Sequence, residues 1–223
     1  MTNTTGCHRS RRNFLKTSLM GGAAAFAVAK IPVAAAAGPV PVPPVGFGSL
    51  VSLASGDDRA KIAFDSLVPL KKEIAAAIGS KRVVLKPNNV IIDKPLCATH
   101  ADNLEGIIEF LHSIGKTNIA IAESPANGSA MDGFANYGYG KLAAKYKVKL
   151  VNLDTEGYEV LYVVDQKDMQ PHAVRVATML MDPTNNFVIS AAKLKTHDLV
   201  GITLSLKNTV VGSGIKEIGR AHV

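Results

Sequence analysis

A mostly parallel α/β sheet with helices on both faces is the fold this chain predicts, and three observations predict it. Short apolar runs at residues 82–86 (RVVLK), 118–122 (NIAIA), 149–153 (KLVNL) and 187–191 (FVISA) read as buried strands. Segments with apolar residues at helical spacing lie between them, and that alternation is the pattern of a parallel sheet covered by helices. The composition, 47% hydrophobic and 19% charged over 223 residues, suits one α/β domain and excludes an intrinsically disordered chain. The sheet is expected to be incomplete at its C-terminal end.

The chain opens with a segment that is not part of this fold. Residues 1–37 carry Arg9, Arg11, Arg12, Lys16 and Lys30 and no acid. Residues 17–29 are small and apolar, and Ala35-Ala36-Ala37 offers cleavage after Ala37. A basic start, a short apolar run and a small-residue end describe an export signal; Gly21 and Gly22 make the run too weak for a spanning helix. Ser10-Arg11-Arg12-Asn13-Phe14-Leu15-Lys16 resembles the twin-arginine signal S-R-R-x-F-L-K, with Arg11, Arg12, Phe14 and Leu15 as its marker residues. That resemblance implies export of a folded protein by the twin-arginine translocase. The destination would be the periplasm or the extracytoplasmic face of a bacterial or archaeal cell, with no stable membrane span after cleavage.

Residues 38–48, with Pro39, Pro41, Pro43 and Pro44, read as an extended linker. The domain is expected over residues 49–216. Residues 49–54 suggest a first strand, and Asp57 or Asp58 a cap for a helix carrying Ile62, Phe64, Leu67 and Val68. Pro69 ends or restarts that helix; Leu70, Ile74 and Ile78 continue its face, and Gly79 closes it. The clearest helix is capped by Asp102 or Asn103, carries Leu104, Ile107, Ile108, Leu111 and Ile114, and ends at Gly115. Residues 133–146 predict a further helix, weakened by Gly138 and Gly140. Residues 158–164 and 173–177 predict a less regular β pair. The tail 217–223 can be encoded by a common short-read sequencing adapter read in frame, so it is expected to be artefactual and the natural chain to continue past Lys216.

The formal charge of +7 changes meaning once located. Without residues 1–37 and 217–223, 19 basic residues face 17 acidic ones, a net of +2. No basic stripe interleaved with aromatics remains, so no nucleic-acid partner is expected. Two cysteines cannot hold an iron–sulfur cluster, and none is possible within this fragment.

The predicted strands end in a selected set of polar residues. They are Lys86-Pro87-Asn88-Asn89, Glu123-Ser124, Asp154, and the run Lys193-Leu194-Lys195-Thr196-His197-Asp198. In a parallel sheet these share one edge, where open α/β sheets bind ligands. Lysines there suit a small anionic ligand or cofactor, with Glu123 and His197 placed to exchange protons. Imidazole and carboxylate also make His100, Glu123 and His197 a candidate metal set, although a hydrogen bond at a helix entry explains His100 as well. Cys97 reads as a small, partly buried residue rather than a nucleophile.

Together the blocks Gly56-Asp57-Asp58-Arg59, Val84-Leu85-Lys86-Pro87-Asn88, Thr99-His100, Ala122-Glu123, Lys193-Leu194-Lys195-Thr196-His197 and Leu206-Lys207-Asn208 resemble the domain of unknown function 362 family, over about Val51 to Val211. The resemblance implies an α/β domain without an established activity. Some relatives carry ferredoxin-like cysteine clusters, which would make this an electron-transfer protein only if such cysteines lie beyond the fragment. A non-catalytic binding domain of the cell envelope is a further alternative. By motif position the candidate site residues are Lys86, Asn88, His100, Glu123, Lys193, Lys195, His197, Lys207 and Asn208; the ligand-binding set is Lys86, Asn88, Lys193, Lys195, Lys207 and Asn208.

Overall fold

A computed structural model describes residues 50–197 and 201–215, which fall within one compact unit, Ser49–Val223. The export motif, the cleavage point after Ala37, the linker 38–48, Asp198 and the tail 217–223 lie outside the described residues. In chain order the elements are α1 (Arg59–Leu67), α2 (Lys71–Ile78), β1 (Arg82–Pro87), α3 (Ala101–Ser113), β2 (Ile119–Glu123), α4 (Ala130–Asn136) and α5 (Tyr139–Tyr146). They continue through β3 (Lys149–Asn152), β4 (Tyr158–Val164), β5 (Pro171–Ala177), α6 (Thr178–Met181), β6 (Asn186–Ala191), β7 (Lys195–His197), β8 (Gly201–Thr203) and α7 (Ser205–Val210). Among the described residues no helix is long and apolar enough to cross a membrane.

The four strands expected to be buried form one sheet in the order β3-β2-β1-β6, parallel throughout. Their side chains alternate between two cores, as the two-residue period of a strand requires. Val83, Leu85, Ile119 and Ile121 face a large cluster with Leu104, Ile108, Phe110 and Leu111 of α3, and Phe134 and Leu142 of α4 and α5. Val84 and Ala122 face a smaller one with Leu153, Ala177 and Ile215, flanked by Met179 and Leu180 of α6. Each fully buried aliphatic side chain contributes about 1.5–3 kcal/mol, so the thicker helical face carries most of the hydrophobic stabilisation.

Two close approaches fix the helices. Gly106 of α3 meets α1 so closely that a Cβ there would lie 2.0 Å from the Ala60 carbonyl oxygen. Phe64 and Phe110 close the same contact edge to face, centroids 5.9 Å apart. Asp58 caps α1 by accepting from the Lys61 amide at 3.0 Å, as its side-chain chemistry predicts.

Several expectations are corrected. The cap of α3 is His100, whose Nδ1 accepts from the Asp102 amide at 3.2 Å, in place of Asp102 or Asn103. Residues 50–54 form no strand, since no sheet edge pairs with them; Leu53 stays 94% exposed. The helix read over 133–146 is two helices, broken where Gly138 takes φ +78°. The β pair is more regular than expected: β4 and β5 make an antiparallel ladder from Tyr158↔Ala177 to Val164↔Pro171. The short hairpin of β7 and β8, paired Lys195↔Thr203, and the helix α7 were not foreseen.

Candidate functional site

Strand order places the site. The chain runs from β1 outward through β2 to β3, then returns to lay β6 on the other side of β1. The sheet therefore has a topological switch between β1 and β6, and ligands in open α/β sheets sit beyond the strand C-termini at such a point. Lys86 and Pro87 are in register there with Ser190 and Ala191.

Lys86 is wholly buried on β1, and its Nζ lies 2.6 Å from Oε1 of Glu123, itself 3% exposed. The remaining capacity of the carboxylate is used by backbone: Oε2 accepts from the Asn89 amide at 3.0 Å and Oε1 from the Ser124 amide at 2.9 Å. A buried pair is tolerable only when its spare protons and lone pairs are satisfied in this way. Gly212 makes room for it, since a Cβ at that position would lie 2.9 Å from Lys86 Nζ and 3.2 Å from its Cε.

Asn208, on α7, ties the C-terminal part of the chain to this pair. Its Nδ2 donates to the Lys86 carbonyl at 3.1 Å and to Ser190 Oγ at 3.0 Å. A carbonyl only accepts, so the amide orientation is determined and Oδ1 faces the other way. That oxygen accepts from Asn88 Nδ2 at 3.0 Å and lies 3.4 Å from Lys86 Nζ. Asn88 Oδ1 is left buried with no hydrogen-bond partner among the described residues. Thr99 braces the same loop: its Oγ1 accepts from the Asn88 amide at 2.9 Å and donates to the Ala191 carbonyl at 2.6 Å, joining the ends of β1 and β6. The hydroxyl of buried Tyr139 lies 2.5 Å from the Thr99 carbonyl oxygen and 3.0 Å from Asn89 Oδ1, both acceptors, and burial pushes its phenol well above the ordinary tyrosine value.

Around this buried frame lies a second, looser group. Lys195, on β7, is partly buried, and its Nζ donates to the Cys97 carbonyl oxygen. Thr203 Oγ1, across the hairpin, lies 3.3 Å from the carbonyls of both Lys193 and Lys195. Lys207 precedes Asn208 on α7 and is also partly buried. Burial holds the Lys195 ammonium below the ordinary lysine range; Lys207 and Lys193 push the same way, against Cys97 and Glu123. Among the described residues no carboxylate lies within ion-pair distance of Lys193, Lys195 or Lys207.

A family model described as Domain of unknown function (DUF362) matches residues 83–223, well over half of the chain. The chain belongs to this family. Comparison with curated proteins and with solved structures finds no match. The matched part of the DUF362 chain begins inside β1, so the Gly56–Arg59 block precedes it, whereas every other block that carried the resemblance falls within it.

The DUF362 fold thus brings Lys86, Asn88, Glu123 and Asn208 into direct contact, with Lys195 beside them. Among the described residues, the donor atoms of His100, Glu123 and His197 do not all lie within 4.8 Å of one another. Among the described residues, the group whose donor atoms come within 4.8 Å of one another is Asp165, Asp168 and His172, at the exposed tip of the β4–β5 hairpin. Cys97 is a free, partly buried thiol. Sequence reasoning gave no role to Ser190, Thr99 or Gly212. Thr99 stands in a motif only as the residue before His100.

Proposed function

We propose that this DUF362 domain binds a small anionic ligand or cofactor at the switch-point edge of its sheet. Lys193, Lys195 and Lys207 supply the charge, and the Lys86–Glu123–Asn88–Asn208 frame holds them in place. One observation carries this reading: three partly buried lysines share a strand-end surface with no described carboxylate in ion-pair reach, while the nearby buried carboxylate is already taken by Lys86. Uncompensated cations near a low-dielectric wall attract anions more strongly than exposed ones do. Lys86 has no exposed surface and is paired with Glu123, so its part is to position the others.

The test is thermal stabilisation of the purified chain by inorganic phosphate and by malonate, with chloride as the ionic-strength control. A shift that disappears in Lys195→Ala/Lys207→Ala supports the reading; an equal shift in that variant, or none in the parent, rejects it. The domain works outside the cytoplasm in this proposal, with Arg11 and Arg12 as its export address. A reporter fused to residues 1–48 should be exported, and Arg11→Lys/Arg12→Lys should retain it in the cytoplasm; unchanged export would reject the address.

A further inference from the structure

We propose that Lys195 is an amine nucleophile that condenses reversibly with the carbonyl group of a small anionic oxo compound, with Lys193 and Lys207 holding its carboxylate. The proposal rests on the anion-binding reading above and specifies its ligand as a 2-oxo acid or a close relative. Three geometric facts separate Lys195 from an ordinary surface lysine. It is partly buried at the switch-point edge, at the start of β7. Its amine is held by a neutral acceptor, the Cys97 carbonyl, which fixes the nitrogen without demanding that it carry a charge. Its neighbours on the same edge are cations. Lys193 lies two residues away, with both carbonyls within reach of Thr203 Oγ1, and Lys207 is on the helix that Asn208 ties to β1.

Cationic neighbours and desolvation are the two means by which a lysine amine is kept available for attack on a carbonyl. Both act on Lys195. Glu123 is the nearby carboxylate that would otherwise claim it. Its two oxygens are occupied by Lys86 and by the amides of Asn89 and Ser124. Lys86 is desolvated too, but it is paired with Glu123 and has no exposed surface for a ligand to reach.

The step balances without a co-reactant. The Lys195 nitrogen lone pair attacks the carbonyl carbon, the C=O π bond opens, and one amine proton passes to the oxygen to give a carbinolamine. The C–O bond then breaks, water leaves with a second proton, and a C=N bond remains. Hydrolysis reverses each event.

The experiment uses the full chain, pyruvate as the probe and cyanoborohydride to trap the imine, with peptide mass mapping of the labelled lysines. Lys195 should be labelled severalfold faster than exposed Lys71 and Lys72, because its amine is partly desolvated and held by a neutral carbonyl. Lys193→Ala/Lys207→Ala should slow labelling by pyruvate more than labelling by neutral acetone, since pyruvate loses its carboxylate contacts as well as the cationic neighbours of Lys195. Labelling of Lys195 no faster than of Lys71 and Lys72 overturns the inference. Malonate has no ketone and separates the two readings. Stabilisation by malonate without preferential labelling removes the imine and keeps the anion site; the absence of both removes both.

Discussion

Lys86 and Lys195 are the same chemical group on two different sheets, one on a central strand and one on a short hairpin, and the fold treats them oppositely. Lys86 is sealed under Gly212, paired with Glu123 at 2.6 Å and bound through its carbonyl by Asn208. Among the described residues the Lys195 amine is held by the Cys97 carbonyl, with Lys193 and Lys207 as like charges near it. The difference follows from the elements that carry them. Lys86 belongs to a central strand hydrogen-bonded on both sides, where an unpaired charge cannot persist. Lys195 belongs to a three-residue strand of a small hairpin, outside the main sheet. The central strand ties its lysine to a carboxylate, and the hairpin leaves the amine of Lys195 on a neutral carbonyl.

The sharpest way to break this contrast is to truncate each lysine and compare stabilities. Lys86→Ala leaves the Glu123 carboxylate buried and unpaired, and should cost about 3–5 kcal/mol in urea unfolding. Lys195→Ala strands no buried partner and should change stability by less than about 1 kcal/mol. Equal costs would abolish the distinction. Lys86→Met/Glu123→Gln removes both charges together, and should be less destabilised than the sum of its single variants, because the unpaired charge is then gone.

Smaller effects test how the frame is fastened. Asn208→Ala removes the donors to the Lys86 carbonyl and Ser190 and the acceptor for Asn88, so it should cost about 2–3 kcal/mol, the usual penalty of stranding buried polar groups. It should also weaken anion binding, because α7 carries Lys207. Thr99→Val keeps shape but loses both bonds between the β1 and β6 ends, and should cost about 1–2 kcal/mol. A Thr99→Val protein as stable as the parent would mean that the sheet and Asn208 hold the two strand ends without Thr99.

The sheet was legible because its strands are uninterrupted apolar runs, and burial on both faces is what such runs require. RVVLK, NIAIA, KLVNL and FVISA each fall on a strand, within a residue or two of the expected ends. Glu123 at the end of β2 and Lys86 near the end of β1 followed from that reading, and so did their shared edge. Their mutual pairing did not: Lys86 was read among the ligand contacts, and a strand pattern does not say whether a terminal lysine is capped by a carboxylate or left open. The β7–β8 hairpin escaped because three-residue strands carry no measurable period. His100 was legible as a hydrogen-bonding residue at a helix entry, and its Nδ1 does accept there, but not as the cap itself, because Asp102 and Asn103 stand beside it as commoner caps.

The last prediction separates the two lysines by pH. The Lys195 amine is held below its ordinary range by burial first, so in an alkaline window the folded chain binds fewer protons there than the unfolded chain does. Stability rises with pH wherever the unfolded state binds more protons. The penalty for charging Lys195 is thus fully present below its folded pKa and is relieved as pH climbs from there toward the ordinary lysine value. Lys195→Met should raise stability slightly at neutral pH and flatten the rise in the alkaline window, in urea midpoints measured across that range. An unchanged slope would mean that solvent reaches the amine freely, and would remove the feature that sets Lys195 apart from the surface lysines.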